Sequence, residues 1–163
     1  LVEEALQHFK EPARSKNIRI RTILNRTIDS MIGDSDNVLR ILDNLISNAI
    51  KYSPRNTTVI ISTSQKDGNI QISVRDQGPG ISLADQKKLF GKFTKLSNKP
   101  TGNESSTGLG LYIVKKICAN MNGSVRCESE EGCGATFVVD LPAAKQTVAK
   151  KRVTISKKRL AAG

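Results

Sequence analysis

Asp76-Gln77-Gly78-Pro79-Gly80-Ile81 is the stretch on which the reading of this chain turns. Before it, Asn69-Ile70-Gln71-Ile72-Ser73-Val74-Arg75 alternates polar and apolar, the pattern of a half-buried strand. After it, Ser82-Leu83-Ala84-Asp85-Gln86 reads as a helix start. A carboxylate therefore stands at a strand end, beside a turn of two glycines and a proline. Gly78 and Gly80 permit backbone angles that a side chain would forbid, and they let a ligand approach the main chain. Pro79 stiffens the loop. Two uses suit these six residues about equally: an Asp that accepts a hydrogen bond from a flat, amine-bearing ligand, and a plain strand-to-helix turn. The rest of the chain has to decide between them.

The 163 residues suit one domain, and a hydrophobic content of 37% supports a core, although Trp is absent. No apolar run approaches the roughly 20 residues of a membrane span, and no secretory leader is visible. The chain opens mid-helix without a Met, so it is expected to be a piece of a longer protein whose remainder could carry a membrane anchor. Cys118, Cys127 and Cys133 have no metal-like spacing, and the expectation is reduced thiols in a cytosolic module. A Cys127–Cys133 bridge across a hairpin is the less favoured alternative. The net charge of +11 is concentrated at one end. Residues 142–163 carry Lys145, Lys150, Lys151, Arg152, Lys157, Lys158 and Arg159 without an acid, which leaves +4 for the rest. With no aromatic side chains interleaved for stacking on bases, this tail reads as a solvated linker rather than a nucleic-acid-binding segment.

Residues 1–16 read as one helix, with Pro12 as a potential kink. His8, the single histidine, reads as a structural or exposed residue. Ile18 to Leu24 alternates as a strand, and Thr27 to Ile32 reads as a second, weaker one. Gly33-Asp34-Ser35-Asp36 is a turn that ends in helix caps.

The strongest helix signal covers about 36–51. Val38, Leu39, Ile41, Leu42, Leu45, Ile46, Ala49 and Ile50 form a broad apolar stripe suited to packing on a sheet. Asn44, Asn48 and Lys51, spaced by four and three, share one edge of it. Asn is a poor helix former, so these two are caps, surface residues or functional. A carboxamide oxygen facing a cleft is a suitable hard ligand for Mg²⁺, and Lys51 one turn later can meet a phosphate. Tyr52 follows at the helix end, where a ring can line a base pocket.

Thr57 to Ser64 is a β-branched strand, turned back at Lys66-Asp67-Gly68-Asn69 into the strand that leads to Asp76. A short helix is expected to reach about Leu89. Leu89-Phe90-Gly91-Lys92-Phe93 then places two rings around a Gly and a Lys, a spacing that reads first as a hydrophobic plug. From Thr94 to Thr107 the chain is polar and aperiodic, long enough to be a lid or binding loop, and its lysines suit a cover over a polyphosphate. Thr107-Gly108-Leu109-Gly110-Leu111 opens another helix, where free N–H groups and the positive dipole end favour an anion. Asn122-Gly123 ends that helix, with Gly123 as its expected cap. Ser124 to Ser129 and Ala135 to Leu141 form a final hairpin.

Four segments, in this order, resemble the catalytic ATP-binding domain of sensor histidine kinases, a member of the Bergerat-type superfamily with the gyrase and MutL ATPases. Leu42-Asp43-Asn44-Leu45-Ile46-Ser47-Asn48-Ala49-Ile50-Lys51-Tyr52-Ser53 resembles the asparagine box. Asp76 to Ile81 resembles the first glycine box, Leu89 to Phe93 the phenylalanine box, and Gly108 to Leu111 the second glycine box. The resemblance covers about residues 1–142. It implies a two-layer α/β sandwich, a mixed and mostly antiparallel sheet covered on one face by helices. It implies that residues 1–16 are a linker from an absent dimerisation and phosphoacceptor domain, 17–142 the ATP-binding domain, and 143–163 a basic tail.

The same resemblance implies residue roles. Asn48 would coordinate Mg²⁺ with Asn44 in support, Lys51 would touch phosphate, and Tyr52 would pack near the adenine. Asp76 would accept from the adenine amino group, with Gly78, Gly80 and Ile81 shaping its pocket. The lid from about 91 to 107 would close over ATP, with Phe90 at its start and Lys92 or Lys95 as a secondary phosphate contact. Thr107, Gly108, Leu109, Gly110 and Leu111 would hold phosphate. Superfamily ATPases commonly place a Glu one turn before the metal-binding Asn; here that residue is Asn44. Without a base there, transfer to a strong nucleophile such as imidazole is favoured over hydrolysis. His8 is not flanked like a phosphoacceptor, so the acceptor histidine is expected in the upstream domain, with a response-regulator receiver domain downstream. The isolated domain is expected to be monomeric and cytoplasmic. Two alternatives stay open: a superfamily ATPase or anti-sigma-type serine kinase, and a non-enzymatic module in which nucleotide only orders the lid.

Overall fold

The structure is a computed structural model that describes residues 1–25, 28, 33–102 and 107–144. The strand expected at Thr27 to Ile32, all of it but Ile28, lies outside the described residues, as do the basic residues of the tail.

The N-terminal segment forms two helices rather than one, α1 (Val2–His8) and α2 (Lys10–Ser15). The break falls at Phe9, three residues before Pro12. Pro12 cannot donate to the carbonyl of residue 8, and its ring would collide with that oxygen. A new helix therefore starts at Lys10, and Pro12 sits in its first turn, where no N–H is needed. Strand β1 (Arg19–Ile23) follows.

Helix α3 (Ser35–Tyr52) starts on Asp34, whose carboxylate accepts from the N–H of Asp36 at 2.9 Å. Its apolar stripe is the centre of the core: Ile41, Leu42, Leu45 and Ile46 are fully buried. Each such side chain contributes about 1.5–3 kcal/mol by leaving water. Strands β2 (Thr58–Lys66) and β3 (Asn69–Arg75) form a hairpin. Asp67 and Gly68 at its tip both take left-handed angles, φ 51 and 77°, as a two-residue hairpin turn favours. Helix α4 (Leu83–Gln86) is capped by the Ser82 hydroxyl and is shorter than expected, since residues 87–90 continue as turns.

Helix α5 (Gly110–Asn120) and the hairpin of β4 (Ser124–Ser129) and β5 (Ala135–Pro142) complete the fold. The residue that turns the chain after α5 is Asn122 (φ 54°), not Gly123. Gly123 serves packing instead: a Cβ there would lie 2.3 Å from the carbonyl oxygen of Asp140.

The sheet order is β1-β2-β3-β5-β4. β1 runs parallel to β2, and every other pair is antiparallel. Ile70, Ile72 and Val74 of β3 and Val139 and Leu141 of β5 face α3 and α5. The other face is mostly polar, with Ile60 and Val138 among its few apolar residues. Ser62 and Ser73 share a hydrogen bond of 2.6 Å there, and Gln71 donates to Asp140 at 2.9 Å. This is the expected two-layer α/β sandwich. No helix among the described residues is long and apolar enough to cross a membrane.

Candidate nucleotide site

Asp76 leaves the end of β3, the central strand, and is only 5% exposed. Its Oδ1 accepts from the N–H of Gly78 at 2.8 Å and of Ala135 at 3.2 Å. Among the described residues no hydrogen bond involves Oδ2, while Asp76 lines a cleft of about 570 Å³. Burial raises the carboxyl pKa above the usual value, against the lowering effect of the two backbone donors. The group is thus fixed on one oxygen and has the other available to a donor in the cleft.

Gly78 itself does not line the cleft. A Cβ on it would press on Asp76 Oδ1 at 2.9 Å and on the Tyr52 carbonyl oxygen at 3.0 Å, so its role is to let the turn close on Asp76 and the end of α3. Gly80 does line the cleft, with φ 72°, and a Cβ there would stand 1.9 Å from the Glu130 carbonyl oxygen. The β4–β5 turn thereby buttresses the Asp76 loop. Gly132 donates to the Pro79 carbonyl at 2.7 Å, and Ile81 donates to Ser129 Oγ at 2.9 Å.

The second wall is α3, which presents Asn44, Asn48, Lys51 and Tyr52 to the cleft. Its Tyr52 end meets Gly78. Its Asn44 side meets Gly110, where a Cβ would lie 2.7 Å from Asn44 Oδ1. Eight residues separate these landmarks, about 12 Å at 1.5 Å per residue. Asn44 Nδ2 donates to the Arg40 carbonyl at 2.7 Å, which turns its oxygen toward the start of α5.

The third wall is the 94–100 segment with the start of α5. Lys95, Thr107, Gly108, Leu109, Gly110 and Leu111 reach the cleft. Gly108 (φ 67°) packs so closely on Phe93 and Thr94 that a Cβ would come within 2.7 Å of the Thr94 carbonyl oxygen. The covering segment is pinned from both sides. Ser97 N–H donates to Asp85 Oδ2 at 2.8 Å, and Asn98 Nδ2 donates to the Gly80 carbonyl. Asp85 is buried against Lys88 at 2.9 Å, and Lys88 with Ser97 holds its pKa down to about 2.

One of the two rings and one cation fall elsewhere than the sequence suggested. Phe90 packs on the core beside the cleft rather than lining it. Phe93 is 62% exposed, so only Phe90 acts as a hydrophobic plug. Lys92 lies over the Phe93 ring at 5.1 Å and does not line the cleft. Sequence reasoning also missed lining residues. Leu96 and Asn98 come from the aperiodic loop, whose Lys99 reaches the cleft as expected of its lysines, and Ala135 and Phe137 come from the neighbouring strand. The last two were within reach: pairing β5 with β3 sets Phe137 against Val74, two residues before Asp76.

Asp76 is the one acid among the described lining residues, against Lys51, Lys95 and Lys99. No group of three or more His, Cys, Asp or Glu that could hold a metal ion occurs among the described residues. All three cysteines are free. Cys127 stands opposite Phe137 in register, and Cys133 is exposed in the β4–β5 turn.

Comparison with known proteins agrees with this geometry. Residues 33–145 match the family described as histidine kinase-, DNA gyrase B-, and HSP90-like ATPase, and the chain belongs to that family. Within it, the chain is 40% identical over 142 residues to the sensor-like histidine kinase SenX3 of Mycolicibacterium smegmatis, covering 87% of this chain and 37% of that protein. Among solved structures, the catalytic domain of histidine kinase ThkA aligns with a TM-score of 0.75 at 26% identity, over 87% of this chain and 90% of that one. Full-length ShkA, solved with AMPPNP, aligns with a TM-score of 0.77 at 28% identity, over 88% of this chain and 29% of that one. The chain spans little more than a third of the length of the SenX3 proteins it matches.

Proposed function

We propose that this chain is the catalytic ATP-binding domain of a two-component sensor histidine kinase, binding ATP with Mg²⁺ and passing the γ-phosphoryl group to a histidine on a separate dimerisation domain. The observation that carries the reading is Asp76. Its nearly buried carboxylate has one oxygen fixed by backbone donors and the other unengaged, in the same cleft as Asn48 and the Gly108–Gly110 turn. A planar amino group is the complement of that oxygen, and three lysines with one acid suit a polyphosphate beyond it.

The residues fit the implied group. The cleft volume suits a ligand of nucleotide size. The donor set toward a cation is neutral: Asn48, with Asn44 beside it, would hold Mg²⁺ through a carboxamide oxygen, and the nucleotide's phosphates would balance its charge. Bound ATP with Mg²⁺ would supply the transferable phosphoryl group and neutralise its charge. In this reading Asp76 orients the base, Tyr52, Gly80 and Ile81 enclose it, and Gly78 keeps Asp76 in place. Lys51 and Lys95 meet phosphate, and Thr107 to Leu111 close on it. Lys92 and Phe90 shape the covering segment from outside the cleft.

Asn44 favours a kinase over an ATPase. Its side chain is neutral, and no described carboxylate but Asp76 lines the cleft, so none of the described lining residues beside Asn48 offers a base to activate water. Residues 1–16 then serve as the linker from the phosphoacceptor domain, residues 17–142 as the ATP-binding domain, and 143–163 as a tail. A receiver domain is the downstream partner, and the cytoplasm is the proposed location.

The test is titration of the chain with a fluorescent ATP analogue, with and without Mg²⁺, followed by transfer to an added dimerisation domain. Binding strengthened by Mg²⁺ and an acid-labile phosphohistidine are expected. Asn48→Ala should remove the Mg²⁺ effect and the transfer. No binding by the unaltered chain refutes the reading, and steady phosphate release without an acceptor replaces it with an ATPase.

A further inference from the structure

In the last turn of α3 the Ala49 carbonyl accepts from the Ser53 N–H at 3.1 Å, but the carbonyls that follow it have no helix donor of their own. In a continuing helix the Ile50 carbonyl would accept from residue 54, but that residue is Pro and has no N–H. Lys16 fills the gap. Although a lysine, it is only 8% exposed, and its Nζ donates to the Ile50 oxygen at 2.8 Å and the Lys51 oxygen at 3.0 Å. An ammonium group here also faces the negative end of the helix dipole.

The Lys51 oxygen has further donors. Thr101 N–H reaches it at 3.1 Å and Thr101 Oγ1 at 3.0 Å, the single hydroxyl hydrogen being shared with the Ser53 oxygen at 2.8 Å. One carbonyl oxygen therefore joins three parts of the chain. They are the segment leaving α2, the helix that carries Asn44 and Asn48, and the segment that covers the cleft. The backbone of Lys16 is fixed in turn, since Asn56 N–H donates to its carbonyl at 3.2 Å.

We propose that Lys16 is a positioning residue that ties the N-terminal helices to the seat of the covering segment, so that displacing those helices loosens the cover over the nucleotide. The proposal rests on the nucleotide-site reading. Lys16 does not line the cleft, so its influence has to pass through Lys51 and Thr101. Withdrawing its ammonium leaves the Ile50 oxygen buried without a donor, and such an orphan is costly. The last turn then reorients to recover a partner, and it carries with it the oxygen on which Thr101 is seated.

The experiment uses the whole chain, hydrogen exchange and AMPPNP binding, well below the melting temperature. Lys16→Met keeps the stem and removes the charge. It should weaken AMPPNP binding about tenfold, the worth of one charged hydrogen bond, and speed exchange of the Thr101 amide in the free chain. Lys16→Arg should restore most of both. Thr101→Val should give a similar loss, and combining it with Lys16→Met should cost little more, because both act through one oxygen. A folded Lys16→Met chain with unchanged affinity and unchanged Thr101 exchange overturns the proposal, and so does full additivity. If Lys16→Met does not fold, Thr101→Val decides. Coupling is reciprocal, so that variant must speed exchange at Asn17 and Ile18, and no change there overturns the proposal. Failure of the unaltered chain to bind AMPPNP would count against the nucleotide reading instead, while the exchange measurements would still test the tie.

Discussion

Asn44 and Gly110 stand wall to wall: a Cβ on Gly110 would lie 2.7 Å from Asn44 Oδ1, so the amide of one side chain fills the space that the other residue leaves empty. Gly110→Ala should push the Asn44 amide aside and disturb its bond to the Arg40 carbonyl. The expected cost is about 1 kcal/mol in affinity for an ATP analogue, within the usual range for overpacking. Adding Asn44→Ala should relieve the collision, so the double variant should be closer in stability to Asn44→Ala alone than additivity predicts. Calorimetric titration and thermal melts of the three variants check this.

Asp76→Asn should separate binding from stability. The substituted amide can keep its oxygen on the Gly78 and Ala135 donors, which turns an NH₂ group toward the cleft. Two donors would then face each other at the ligand, at a cost of about 2 kcal/mol or ~30-fold in affinity. The fold should not suffer. Burial raises the Asp76 pKa, so its ionised form opposes folding. That group's relative stabilisation is complete below the ordinary carboxylate value and is lost as pH rises through the raised one. The neutral variant lacks this pH dependence and should melt no lower than the parent at neutral pH. Binding by the parent should weaken as pH falls through the same raised value.

The Asp85 contribution has the opposite sign. Lys88 and the Ser97 N–H hold its pKa at about 2, below the ordinary 3.8. Its stabilisation is present above the ordinary value and lost as pH falls through about 2. Asp85→Asn should therefore lower the urea midpoint at pH 7, and the gap to the parent should close near pH 2. The variant should also speed exchange at the Ser97 amide, since that donor is the one Asp85 holds.

Thiol reactivity should be selective. Burial pushes Cys118 up to about 11 and Cys127 up to about 12, the latter with a further push from the Asp76 charge. Both remain protonated at neutral pH and are poor nucleophiles. Iodoacetamide followed by mass spectrometry should label the exposed Cys133 first in the folded chain, and all three after denaturation.

The legible parts of this molecule were those in which neighbouring residues carry the information. The stripe from Val38 to Ile50 announces α3, Asp67-Gly68 announces its hairpin, and Asp76 with its glycines announces a special strand end. What stayed hidden depends on distant residues. The parallel pairing of β1 with β2 joins strands more than thirty residues apart. Burial of Lys16 is explained by Pro54, which strips an N–H from another element. The break at Phe9 follows from Pro12, but through a carbonyl one turn earlier than the ring itself suggests. Gly123 looked like a cap because Asn-Gly so often turns a chain, yet Asn122 supplies the turn and Gly123 makes room for β5.

The parallel edge of the sheet has a mechanical corollary. Because β1 and β2 point the same way, the polypeptide must travel back across the whole layer between them, and α3 is the return leg. A return leg stitched to two adjacent strands cannot swing without unpicking the border of the sheet. The described residues 87–102 are under no such restraint: beyond the Thr101 N–H on the Lys51 oxygen, they are moored to the rest of the fold by individual side-chain bonds that can be let go one at a time. Of the described walls, that side is accordingly the one able to yield, with the asparagine-bearing helix serving as the fixed jamb of the doorway.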